Sequence, residues 1–294
     1  TEAGETIDAS LRGRLKNEPR PDADAAPRKL AVGDRVVVEP DDRGESWTIV
    51  EILPRTSQLG RRAPGGRHGE RVLAANVDQV VLVFAVARPE PHPGMLDRFL
   101  AIAEANDLPA RIVANKIDLV GQDEADARFT MYERAGYPLH FTSVKQERGL
   151  EELRDALAGR ASVLTGPSGV GKSSLLNALF PGLELRVGEI SDSVNKGRHT
   201  TVGGYLHPLP GGGYVVDTPG LREVGLWGVP ASVIDQCFPE IRALIGQCRF
   251  ADCAHRTEPG CEVREAVTRG EVAESRFASY LKLRSGLEEA ERAW

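Results

Sequence analysis

Asn115-Lys116-Ile117-Asp118 stands ahead of Gly166-Pro167-Ser168-Gly169-Val170-Gly171-Lys172-Ser173 in this chain of 294 residues. The second stretch fits GxxxxGK[ST], the pattern of a loop that wraps phosphates between a strand and a helix. The first fits NKxD, which offers an amide and a carboxylate to a purine ring. Chains that carry both usually have the phosphate loop first. A nucleotide site is built from loops at the carboxyl ends of parallel strands, so its chemistry depends on where the loops lie in space, not on their order. The inversion therefore predicts a circularly permuted α/β domain.

The pattern around these motifs agrees. Residues 79–87 read as a buried strand, 95–106 as a helix, and 110–114 as a strand that delivers Asn115. A helix follows Gly149, a strand covers 161–164, a helix starts at Lys172, and a strand over 214–216 ends at Asp217. Alternation of this kind marks a mostly parallel sheet covered by helices. Upstream, 17–29 is proline-rich with little to bury and reads as a mobile loop, while 35–39 and 47–52 are β-branched runs that read as a hairpin. Beyond about Gly228 the chain turns helical, with a charged amphipathic ending over 271–291. The expected units are 1–75, 76–227 and 228–294, a division that suits the chain length.

Composition excludes little. A net charge of -6 argues nothing for nucleic acid, although the stretch 55–71 holds Arg55, Arg61, Arg62, Arg67 and Arg71 against only Glu70. That stretch is either a local basic surface or a solvated loop. No apolar run approaches the roughly 18 residues that a membrane helix needs, and no export signal is visible, so a soluble, cytoplasmic protein is expected.

The nucleotide set can be assigned residue by residue. Gly166, Gly169, Val170, Gly171, Lys172, Ser173 and Ser174 form the phosphate loop, in which glycines let backbone N–H groups converge and the helix N-terminus adds positive potential. Lys172 is placed for the β and γ phosphates, and the Ser173 hydroxyl for Mg²⁺. Asp118 can accept from guanine N1–H and the N2 amine, which adenine does not offer, with Asn115 bracing the loop and the Lys116 stem over the ring. Asp217, in Asp217-Thr218-Pro219-Gly220, suits a water of the Mg²⁺ shell, and the Gly220 N–H suits the γ phosphate; turn chemistry alone also explains that tetrapeptide. Thr142-Ser143-Val144 is either a source of N–H groups for guanine O6, with Ser143 as the candidate, or a plain strand end. The polar run 195–202 contains His199, Thr200 and Thr201; either threonine can complete Mg²⁺ coordination.

Cys248, Cys253 and Cys261 crowd beside His255. Three thiolates and an imidazole make a closed tetrahedral set that suits one structural Zn²⁺. Cys237, among Val233, Ile234 and Phe238, reads as a small buried hydrophobe.

These segments, in the order NKID, TSV, GPSGVGKS, GRHTT and DTPG, resemble the circularly permuted GTPases. Val32-Gly33-Asp34-Arg35-Val36, Leu53-Pro54-Arg55, Ala75-Asn76-Val77-Asp78-Gln79, Phe238-Pro239-Glu240 and the Cys₃His cluster narrow the resemblance to the RsgA (YjeQ) family, across nearly the whole chain. The resemblance implies an α/β fold: a permuted P-loop GTPase domain with an N-terminal OB-like β-barrel and a C-terminal helical zinc-binding domain. It further implies a GTPase using GTP/GDP, Mg²⁺ and one Zn²⁺, docking as a monomer on the small ribosomal subunit and its 16S rRNA in late subunit maturation, with no role for DNA or membrane. The segment before Val32, with 11–16 as its middle, is short for a five-stranded barrel, so an incomplete barrel is expected.

After Gly220, where Ras-like GTPases carry a water-orienting Gln, this chain has Leu221. Slow intrinsic turnover is therefore expected, with His199 either orienting the attacking water once a partner orders its loop, or only packing or touching RNA. Two other functions share part of the pattern. A permuted GTPase of large-subunit assembly shares the motif order but not the β unit or the Cys₃His cluster. A GTP-switched RNA-binding checkpoint with little catalysis of its own shares all of them.

Overall fold

The computed structural model describes residues 6–11, 30–40, 46–61, 71–183, 185, 205–217 and 229–292. Its centre is a six-stranded sheet of β6 (Gln79–Ala85), β7 (Ala110–Asn115), β8 (Leu139–Thr142), β9 (Ala161–Thr165), β10 (Tyr205–Pro208) and β11 (Tyr214–Asp217), in the order β10-β11-β9-β6-β7-β8. All neighbours run parallel except the edge pair β10 and β11. The carboxyl ends of β7 and β9 thus lie on one edge of the sheet, on either side of β6.

β6 shows why its sequence is apolar throughout. Val80, Leu82 and Phe84 face one core, with Leu96, Phe99 and Leu100 of α1 (Pro93–Ala105) and Phe129 of α2 (Gln122–Arg134). Val81, Val83 and Ala85 face the other, with Leu150, Leu153 and Leu157 of α3 (Leu150–Leu157) and Leu175, Leu176 and Leu179 of α4 (Lys172–Leu179). A strand covered on both faces cannot alternate apolar with polar.

Among the described residues, five short strands precede residue 76. β1 (Ala9–Leu11), β2 (Val36–Pro40) and β3 (Trp47–Ile52) form one sheet, and β4 (Gln58–Arg61) pairs with β5 (Arg71–Ala75), with a bridge from Val32 to Ala74. The expected hairpin is present as β2 and β3. Of the run 11–16, Leu11 ends β1, and 12–16 lie outside the described residues. Asn76, between β5 and β6, braces this unit: its Oδ1 accepts from Thr56 N at 3.0 Å and its Nδ2 donates to Gly33 O at 2.9 Å.

Arg55 corrects an expectation. By composition it belongs to the basic stretch 55–71, yet its side chain is 8% exposed and forms a two-pronged pair with Asp34, at 2.7 and 2.9 Å. Buried charges persist when paired in this geometry, so Arg55 holds the β unit together and presents no charge to a partner. Arg62 and Arg67 lie outside the described residues.

The C-terminal segment contains α5 (Pro239–Arg242), α6 (Glu262–Thr268) and α7 (Glu274–Arg292), after a 3-10 stretch at Ala231–Cys237. Cys237 is buried as expected, and burial pushes its thiol up to about 12. This segment shares the core of the α1 face: Phe238, Ile241, Val263 and Tyr280 cluster with the α1 residues. Arg276 of α7, 1% exposed, joins the two regions through Asp97 of α1 at 2.9 Å and Glu240 at 2.7 Å. Its guanidinium lies 4.5 Å from the Phe238 ring centre, a stacking contact that favours Arg over Lys.

Candidate functional site

The phosphate loop starts where β9 ends and closes into α4. Gly166 adopts φ +145°, and a Cβ there would come 2.0 Å from Val83 O of β6, so only glycine lets the loop lie against that strand. Gly171, at φ +94°, would put a Cβ 2.7 Å from Asn115 Nδ2. Lys172 is 6% exposed and its Nζ donates to Gly166 O at 3.0 Å and Pro167 O at 2.7 Å, which holds the ammonium over the loop. Ser173 is buried in the first turn of α4, Ser174 beside it is half-buried, and Val170 packs into the core of that face.

The NKID segment is tied directly to this loop. Asn115, 2% exposed at the end of β7, donates from Nδ2 to Val170 O at 2.9 Å and accepts from Thr142 Oγ1 at 3.0 Å. Lys116, at φ 64°, donates from Nζ to Arg88 O and Gly169 O, both at 2.5 Å. Burial pulls the Lys116 ammonium below its ordinary range, and Asp118 partly opposes that shift. Asp118 accepts from Ser143 Oγ at 2.6 Å. The Ser143 N–H is engaged by Arg148 O at 3.0 Å, so this residue meets the site through its hydroxyl, not through the backbone N–H expected for guanine O6.

The structure thus brings Asn115, Lys116, Asp118, Ser143, Val170 and Lys172 to one edge of the sheet as a connected set. The backbone of Asp217 ends β11 beside β9. His199, Thr200, Thr201, Gly220 and Leu221 lie outside the described residues. Sequence reasoning assigned nothing to the Thr142 hydroxyl, which braces Asn115, because Thr142 reads as an ordinary strand residue.

The Cys₃His residues also converge. His255 Nδ1 lies 3.6 Å from Cys248 Sγ and 3.4 Å from Cys261 Sγ, the two sulfurs are 4.0 Å apart, and all four ligand atoms fall within 4.8 Å of one another. A tetrahedral site with metal–sulfur bonds of about 2.3 Å has edges of roughly 3.8 Å, so this set fits a Zn²⁺-sized ion. Asp235 Oδ2 lies 3.7 Å from His255 Nε2, on the side of the ring away from the sulfurs, where ligand histidines commonly meet a carboxylate. No spacing in the sequence points to Asp235. Glu258 shapes the loop between ligands: three backbone N–H groups, of Ala254, Arg256 and Thr257, donate to it at 2.7–2.9 Å. Burial opposes its charge, but these donors prevail and hold the carboxyl down to about 2.

A P-loop at the end of one central strand, with an NKID segment delivered earlier in the chain by a strand on the far side of β6, defines a circularly permuted P-loop nucleotide-binding fold. The family model described as RsgA GTPase matches residues 52–227. The chain belongs to the RsgA GTPase family, whose members are hydrolases acting on GTP. It is 60% identical over 288 residues to the small ribosomal subunit biogenesis GTPase RsgA of Gemmatimonas aurantiaca, covering 98% of this chain and 92% of that protein. The RsgA of Bacteroides fragilis is 40% identical over 294 residues, covering 98% and 93%. Among solved structures, YjeQ from Thermotoga maritima superposes with a TM-score of 0.77 at 39% identity, covering 97% of this chain and 91% of that one. A structure described as YloQ, a circularly permuted GTPase, superposes with a TM-score of 0.72 at 30% identity, covering 97% and 87%.

Proposed function

We propose that this protein binds GTP with Mg²⁺ and hydrolyses it to GDP and phosphate while docked on the small ribosomal subunit, in the late maturation of that subunit. The observation that carries this reading is the Asn115 side chain, which joins the base-reading segment to the phosphate loop through Val170. Base and phosphate recognition then act as one rigid unit although their order in the chain is inverted. The relatives named for small ribosomal subunit biogenesis support the choice of partner.

In this reading the carboxylate of Asp118, oriented by Ser143, accepts from guanine N1–H and the N2 amine, and the Lys116 stem covers one ring face. The phosphates lie against the N–H groups of 169–174 and the N-terminus of α4, and Lys172 exchanges its loop carbonyls for phosphate oxygens. The Ser173 hydroxyl, Thr200 or Thr201, and Asp217 through a water would hold Mg²⁺, which when bound neutralises charge on the β and γ phosphates. Gly220 contributes its N–H to the γ phosphate. His199 orients the attacking water once the subunit is bound. His199→Ala should bind GTP like the wild type but lose the turnover gained on adding small subunits; turnover stimulated as in the wild type overturns this role.

Cys248, Cys253, His255 and Cys261 would hold one Zn²⁺, which leaves no open position and serves folding alone. Cys248→Ser should lower the metal content of purified protein from one ion per chain to near zero and destabilise 229–292; full retention of zinc contradicts the assignment. The protein works as a cytoplasmic monomer whose partner is the subunit with its 16S rRNA, and no helix among the described residues is long and apolar enough to cross a membrane. The three units, 1–75, 76–227 and 228–294, correspond to β unit, GTPase domain and zinc module.

A further inference from the structure

A cavity of about 280 Å³ opens at the amino ends of β6, β7 and β9, on the edge of the sheet opposite the phosphate loop. Arg111, near the start of β7, and Arg160, just before β9, line it. Gln79 lies between them, 2% exposed. Its Nε2 donates to Ala156 O at 2.8 Å and Ser162 Oγ at 2.9 Å, which turns Oε1 toward both guanidiniums, each 3.4 Å away. Arg111 also meets His140 Nε2 at 2.6 Å. Burial, with the charge of Arg111, pushes that imidazole down to about 4, so it is a neutral acceptor at physiological pH.

The charge balance here is unusual. Among the described residues, neither Arg111 nor Arg160 forms an ion pair, and every side-chain partner that the two have is neutral. Burial and the charge of Arg160 both work against the charged form of Arg111. At the rim, Arg242 is already satisfied by Glu104 at 2.8 Å. Two neighbouring guanidiniums with neutral partners form a receptor for an anion that can take several N–H donors at once, a geometry suited to phosphate. Pro109, Pro138, Pro239 and Tyr137 also line the cavity, together with the Glu104 that pairs with Arg242. A concave site with an apolar wall and a few convergent polar groups is the mark of a small-molecule pocket, whereas a nucleic-acid strand is tracked by an open basic surface.

We propose that this cavity binds a small phosphate monoester, with Arg111 and Arg160 gripping the phosphate and the proline wall contacting the carbon skeleton. The test uses the full chain saturated with GDP and Mg²⁺, so that the phosphate loop is occupied, and follows the His140 ring by NMR. Ribose 5-phosphate should shift that signal saturably, and at least tenfold more tightly than inorganic phosphate. Potassium chloride at matched ionic strength should not shift it. Arg160→Gln, at an exposed position, and Arg111→Gln should each weaken ribose 5-phosphate at least tenfold. No saturable shift, undiminished binding in both variants, or ribose 5-phosphate binding no more tightly than inorganic phosphate overturns the proposal. So does a response confined to a single-stranded oligoribonucleotide, which would assign the site to nucleic acid.

Discussion

Asp118→Asn should move base preference from guanine to xanthine, with GTP affinity falling by about 10² to 10³-fold and xanthosine triphosphate binding rising in its place. The direction follows from Ser143. Its hydroxyl donates to Asp118 Oδ1 at 2.6 Å, so an Asn at this position keeps its oxygen on Ser143 and turns its NH₂ toward the base. That donor meets the N2 amine of guanine donor to donor, whereas xanthine carries an oxygen there. Binding measured with both nucleotides decides the matter, and an unchanged preference for GTP removes Asp118 from base reading. Ser143→Ala offers a finer check, since loss of the orienting hydroxyl should weaken GTP by about tenfold or less without creating a preference for xanthine.

Arg276→Ala should cost about 3–5 kcal/mol of stability. The variant leaves Asp97, with its side chain 1% exposed, and Glu240, 9% exposed, as buried carboxylates without their cation. Burial already raises the Asp97 carboxyl, and the charge of Arg276 opposes that shift. The loss should appear in thermal unfolding, and limited proteolysis should show α7 released from α1. Adding Asp97→Asn to the variant should recover part of it, because one stranded charge is removed with its partner. A midpoint for Arg276→Ala within the range of ordinary surface substitutions, about 0.5 kcal/mol, would contradict the role given to this residue.

The contrast between these two sites explains what could be read in the sequence. Phosphate-loop, NKID and Cys₃His residues were legible because each group places its chemistry within one short segment, where spacing carries the information. The strands and helices that present them were legible from their apolar periods. What joins the groups was not. Asn115 meets Val170 across 55 positions, Ser143 meets Asp118 across 25, and Arg276 meets Asp97 across 179, and each contact exists only because the sheet orders its strands as it does. Arg55 shows the opposite error: counted by composition it belonged to a basic stretch, and only its pairing with Asp34 reveals a buried structural charge. The antiparallel edge strand β10 and helix α2 were also unread, since both are short on strong pattern; α2 buries only Ala125, Phe129 and Tyr132.

The permutation acquires a structural meaning here. β11 ends at Asp217, and the described chain resumes at Val229 with the segment that packs on α1. The strand expected to serve Mg²⁺ therefore leads within a dozen residues to the segment that carries the Cys₃His cluster. Arg276 gives that segment a fixed seat on α1.

The most direct test is turnover of GTP and ATP with and without purified small ribosomal subunits. GTP hydrolysis should be slow for the protein alone and rise by roughly 10²-fold or more on the subunit, the contribution expected when a nucleophilic water becomes oriented, while ATP is not hydrolysed in either case. Turnover of GTP that the small subunit leaves unchanged, or ATP hydrolysed as well as GTP, would contradict the account.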